Sequence, residues 1–105
     1  MSDDESAYAE GWTALRAEQN RDAALAFARV LASDRLDLHE DAAFWRAVAL
    51  ERAKDGAAAA VFVDFLRQFT SSTRFGEASV ALGWILLNRG DIDAAKRRFE
   101  SALTD

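Results

Sequence analysis

The sequence predicts an all-α protein made of three stacked helix–turn–helix repeats. Three observations predict it. Residues 11–27, GWTALRAEQNRDAALAF, return as residues 83–99, GWILLNRGDIDAAKRRF. Gly11, Trp12, Leu15, Ala23 and Phe27 thus recur as Gly83, Trp84, Leu87, Ala95 and Phe99, each displaced by 72 residues. Alanine supplies 23 of the 105 residues and proline is absent, a composition that favours helix nearly throughout. β-Branched residues are scattered and no run alternates with a period of two, so no strand is expected.

A displacement of 72 fits two periods of 36 with a middle copy between them. One period on from Gly11 stands Ala47, inside DAAFWRAVALERAKDG, where Phe44, Ala47, Val48 and Leu50 keep a helical pattern. The following AAAAVFVDFLRQF places Phe62, Phe65, Leu66 and Phe69 at i, i+3, i+4 and i+7, one face of a helix. Aligned on that face, the middle copy has one residue fewer in its turn. The expected helices are 4–18 and 21–33, 40–54 and 56–69, 74–89 and 91–104. Their turns are marked by Asn20, Asp55-Gly56 and Gly90-Asp91. The linkers SDRLDLH and TSSTR supply the Ser, Thr and Asp that stop one helix and cap the next. Residues 1–105 are expected to form a single domain, with repeats near 4–36, 40–72 and 74–105.

One hairpin cannot bury its own apolar face, so three must stack. Close approach within a hairpin needs small residues, which places Gly11, Ala47 and Gly83 opposite Ala23, Ala58 or Ala59, and Ala95. Phe27, Phe62 and Phe99 are then expected to fill the space between neighbouring hairpins. Ala24, Leu25, Ala26 and Ala28 of the first copy become Lys96, Arg97, Arg98 and Glu100 in the third. The last helix therefore reads as a partial cap, polar where an internal helix would be apolar.

The pattern resembles the tetratricopeptide repeat, whose first helix carries L-G-x2-Y and whose second carries A-x3-F. The third copy matches best, with Leu82-Gly83, Gly90-Asp91-Ile92, Ala95, Phe99, Ala102 and Leu103. The first copy keeps Gly11, Ala23, Phe27 and Leu31. The tryptophan usual early in the first helix is replaced by Ala7, Ala43 and Ser79, and the closing proline is missing. The segment FLRQFTSSTRFGEASVALGWILLNRGD also resembles tetratricopeptide proteins of the bacterial cell envelope, again without the proline of their linking turn.

Composition excludes several function classes. The net charge is −5, and nucleic acids and anionic membranes need a positive field. The longest apolar run, Ala81 to Leu87, is too short to insert in a membrane. Cysteine is absent, which excludes disulfides and thiolate metal sites. Eleven arginines against two lysines suggest a GC-rich bacterial source. The acidic start MSDDESAY is unlike a signal peptide, which favours the cytoplasm over a fragment of a periplasmic protein. His39, followed by Glu40 and Asp41, lacks a second histidine to make a metal site and reads as an exposed linker residue at a helix start. No serine or threonine has a histidine base at a plausible spacing, and the five glycines form no phosphate loop. No enzyme, metal or cofactor is expected.

The aromatic residues of the first helices remain. Tyr8, Trp12 and Leu15 lie at i, i+4 and i+7, Val80, Trp84 and Leu87 repeat the stripe, and Phe44 and Val48 supply a shorter one. In tetratricopeptide proteins the first helices line a concave groove that receives peptides. The resemblance implies that these eight residues line it, with Arg16, Arg52 and Asn88 along its edge. Trp12 and Trp84 should then be equivalent. The expected function is binding of a protein or peptide; the alternative is a homodimer in which the same apolar face pairs with a second copy.

Overall fold

Each first helix ends in the same hydrogen-bonded turn, and that turn repeats every 36 residues. In the computed structural model, which describes residues 3–104, Glu18, Lys54 and Gly90 have φ of 60°, 56° and 84°. The amide of each donates three residues back, to the carbonyls of Leu15, Glu51 and Leu87 at 2.9–3.1 Å. The next amides, of Gln19, Asp55 and Asp91, reach the carbonyls of Ala14, Leu50 and Leu86 at 2.9 Å. This paired bonding satisfies carbonyls that a helix end leaves open, and it requires a left-handed residue after the last turn. Glycine takes that conformation without cost; Glu18 and Lys54 adopt it against the clash of their Cβ atoms.

The described residues form six helices and no strand: α1 Asp3–Arg16, α2 Asn20–Leu31, α3 Leu36–Arg52, α4 Ala58–Gln68, α5 Phe75–Asn88 and α6 Ile92–Leu103. The all-helical, helix–turn–helix expectation holds. Two starts, those of α3 and α4, differ from it by more than one residue. α3 begins at Leu36 rather than residue 40, because Ser33 folds the linker back: its Oγ donates to the Val30 carbonyl at 2.7 Å and accepts the Arg35 amide at 3.2 Å. Ser72 repeats this before α5, accepting the Arg74 amide at 3.0 Å. α4 begins at Ala58, later than expected, although the middle copy does have one residue fewer between its left-handed residue, Lys54, and Phe62; Asp55 Oδ1 accepts the Ala57 amide at 2.8 Å there. That bond, followed by Arg21 nearby, holds the Asp55 carboxyl below the usual carboxylate range.

Two compact units divide the chain between Ala58 and Ala59. In the first, α2 packs on both α1 and α3. Its core gathers Ala7, Leu15, Ala23, Phe27 and Val30 with Ala42 and Ala49 of α3, and Leu38, Trp45 and Leu50 pack against it. Arg35 ties the linker down from outside. Its guanidinium grips Asp37 through two bonds of 2.8 and 3.0 Å and reaches Glu5 Oε1 at 2.9 Å. The Arg35 hydrogen bond holds the Asp37 carboxyl down, and the same pair holds Arg35 protonated. In the second unit α5 packs on α6, and Phe65, Leu66, Ala78, Leu82 and Ala95 are buried.

The phenylalanine of each outer copy lies against the glycine of its own hairpin. A Cβ built on Gly11 meets the Phe27 ring at 2.7–2.8 Å, and one on Gly83 meets the Phe99 ring at 2.6–2.9 Å. The glycines therefore receive a ring, where a small partner-helix residue was expected. Phe27 and Phe99 fill the inside of a hairpin before anything between hairpins.

The turn geometry makes a direct prediction. Lys54→Gly and Glu18→Gly should each raise unfolding free energy by roughly 0.5–1 kcal/mol, as the left-handed strain is relieved. Gly90→Ala should lower it by a similar amount, with open space around the new methyl. Urea denaturation measures all three; unchanged midpoints would show that the turn strain is not felt.

Candidate protein-interaction surface

On α1, Tyr8 and Trp12 are one turn apart and meet edge to face, with ring centroids 6.4 Å apart. Both lie edge-on to Phe27, at 6.2 and 5.9 Å. Glycine at position 11 is what admits that ring, so the α1 aromatics rest on a floor supplied by α2. The Tyr8 hydroxyl donates to Asp41 Oδ2 of α3 at 3.2 Å, which fixes the ring at its polar tip.

α3 then covers much of this cluster. Trp45 lies 4.8 Å from Trp12 and meets Phe44 edge-on at 5.1 Å. Trp45 lies off the stripe of Phe44, Ala47 and Val48 expected along α3. The signal was a second stripe, Leu38, Ala42, Trp45 and Ala49, at i, i+4, i+7 and i+11. That stripe joins the core of the first unit. It was hidden because neither Ala9 nor Ala81, at the same place in the other copies, is aromatic.

The residues expected to line a groove divide by exposure. Leu15 and Phe44 are buried, at 4% and 1% exposure, and offer no surface to a ligand. They support the surface from below, a correction to their expected role. Tyr8, Trp12 and Val48 are half-buried, and Arg16 and Arg52 are exposed. In the second unit Val80, Trp84, Leu87 and Asn88 are all exposed along α5. Trp84 meets Phe99 edge-on at 5.5 Å, much as Trp12 meets Phe27, yet it is 56% exposed. The two tryptophans are equivalent in local packing and not in environment, because α3 shelters Trp12.

His39 is not the exposed linker residue expected. It is the fourth residue of α3, half-buried, and its Nε2 donates to the Ser33 carbonyl at 2.9 Å. Among the described residues no three His, Asp or Glu side chains gather to hold a metal, and no helix is long and apolar enough to cross a membrane. The second unit has an open cleft of about 460 Å³ between Ala59, Ala60 and Val63 of α4 and Leu82 and Leu86 of α5, with Arg97 and Arg98 of α6 at its rim.

A 36-residue helix–turn–helix period and, in both outer copies, a glycine of the first helix with a phenylalanine ring laid on it define a helical-repeat protein. Residues 8–72 match the family model of the tetratricopeptide repeat, and the chain belongs to that family. The match is to the repeat itself and singles out no cell-envelope relatives. No curated protein and no solved structure matches the chain. Repeats of this family are generally non-catalytic modules of protein–protein interaction.

The unequal shelter of the two tryptophans is measurable. Trp12→Ala should cost about 2–4 kcal/mol, close to the range for a core aromatic, whereas Trp84→Ala should cost about 1 kcal/mol or less. Equal losses in urea denaturation would show that Trp84 is as much a core residue as Trp12.

Proposed function

We propose that the protein binds a peptide or protein segment through the exposed apolar residues of its first helices. One observation carries this reading: α5 offers Val80, Trp84 and Leu87 to solvent, successive turns of one helical face, with Asn88 beside them. A soluble protein seldom leaves such a row uncovered without a use for it. A half-buried tryptophan or tyrosine is an effective anchor, since a large rigid ring loses little entropy on docking.

The first unit supplies the same kinds of side chain in a more sheltered form. Tyr8, Trp12 and Val48 expose part of their apolar surface, and the exposed Arg16 and Arg52 stand near the ends of α1 and α3. Arginines in such places suit carboxylates or backbone carbonyls, through forked hydrogen bonds. With a net charge of −5, a polypeptide ligand fits better than a nucleic acid.

Selection of a displayed peptide library on the full chain tests this. Peptides enriched on the native protein should lose about 2 kcal/mol of binding, roughly thirty-fold, on Trp84→Ala. Arg16→Ala and Arg52→Ala should weaken peptides that carry an acidic residue or a free carboxylate. Selected peptides that bind all these variants as well as the native chain would contradict the reading.

A further inference from the structure

The cleft between α4, α5 and α6 has a counterpart in the first unit, and the two differ in where their charge sits. In the first unit Ala24, Leu25 and Ala28 of α2, with Arg46 and Leu50 of α3, surround a hollow of about 230 Å³. Displaced by 35 residues for the second helix and 36 for the first, the same positions hold Ala59, Ala60 and Val63 of α4 and Leu82 and Leu86 of α5. The cleft they line is larger, about 460 Å³. Two exchanges set it apart. Ala60 stands where the exposed Leu25 did, which leaves the mouth less crowded, and Leu82 stands where Arg46 did, which takes the cation out of the floor.

The charge of the second cleft is on its rim. Ala94, Arg97, Arg98 and Ser101 of α6 close the third side, and no acidic residue lines it. Arg21, Arg29, Arg35 and Arg67 are each paired with an acid. Among the described residues neither Arg97 nor Arg98 has such a pair, although Asp93 and Glu100 share their helix. The Ser101 hydroxyl donates to the Arg97 carbonyl at 3.0 Å, which leaves the two guanidinium groups as the donors of the rim. An apolar floor with two neighbouring cations at one edge suits a ligand that is apolar along its length and anionic at one end.

We propose that this cleft binds a small amphiphilic carboxylate, an aliphatic chain laid on Val63, Leu82 and Leu86 with its one carboxylate held by Arg97 and Arg98. The volume lies in the range of small-molecule sites, roughly 300–1,000 Å³. A peptide fits the same place less well. Each of its residues brings an N–H and a C=O that need partners, and an aliphatic floor supplies none. A ligand polar at one end only strands no such group. The site shares no residue with the row of Val80, Trp84 and Leu87, so it stands apart from the peptide-binding reading of the first helices.

Octanoate is the probe, titrated into the isotope-labelled full chain and followed by amide chemical shifts. It should shift Ala60, Val63, Leu86 and Ala94 saturably, at one site per chain, with a Kd of about 1 mM or tighter. Octanol, which keeps the chain and lacks the charge, should bind at least ten-fold more weakly. Replacing both arginines, Arg97→Gln with Arg98→Gln, should weaken octanoate at least ten-fold and leave octanol unchanged. Ala60→Leu, which restores the side chain of the first hollow, should weaken both ligands. These three positions have solvent access, so helicity should be unchanged; should it fall in Ala60→Leu, the arginine variant decides. No saturable shift up to about 10 mM, or octanol binding as tightly as octanoate, would overturn the proposal. So would inorganic phosphate binding as tightly, which would make the rim a bare anion site. An acetylated trileucine with a free carboxylate that bound ten-fold more tightly than octanoate would also overturn it, since the occupant would then be a peptide end.

Discussion

The ring of Phe27 can lie where it does only because α1 has no side chain beneath it. A Cβ on Gly11 would come within 2.7 Å of the ring, closer than side-chain carbons approach in a packed interior. Much of the first unit depends on that contact. The ring supports Tyr8 and Trp12 from below, Trp12 receives Trp45, and Trp45 brings α3 over the hairpin. The Gly83–Phe99 contact in the second unit is the same device. There the chain of rings stops at Trp84, and the face that α3 would cover is left to solvent.

The arrangement separates two uses of the same residues. Under cover, the aromatic cluster is a core and contributes through burial, of the order of 25 cal/mol for each Å² of apolar surface. Uncovered, the same cluster leaves Val80, Trp84 and Leu87 exposed. In both outer copies the glycine contact and the left-handed turn fix the geometry of the hairpin.

Much of the fold was legible because its determinants are local and repeated. Gly11 and Gly83 with their phenylalanines, 72 residues apart, announced two copies of one hairpin, and the absence of proline and of period-two runs announced helices. Less legible was whatever depends on a neighbour. The left-handed turn was visible at Gly90 but not at Glu18 and Lys54, where bonding to preceding carbonyls forces ordinary residues into glycine's conformation. The early start of α3 depended on Ser33 bonding backward, a bond that a polar linker does not advertise. For the candidate surface, residue types and helical faces were readable, and exposure was not. Leu15 and Leu87 have the same local sequence role, and only the presence of α3 makes one of them core.

The central claim, that the glycine exists to receive the ring, is open to a double-mutant cycle. Gly11→Ala adds a methyl that favours helix by about 1 kcal/mol, so any net loss of stability must come from the clash. Combining it with Phe27→Leu removes the edge of the ring that the methyl meets. If the account is right, the loss caused by Gly11→Ala largely disappears in the Phe27→Leu background, with a coupling of about 1–2 kcal/mol in urea denaturation. Strictly additive losses would contradict it, because the glycine and the phenylalanine would then be acting independently.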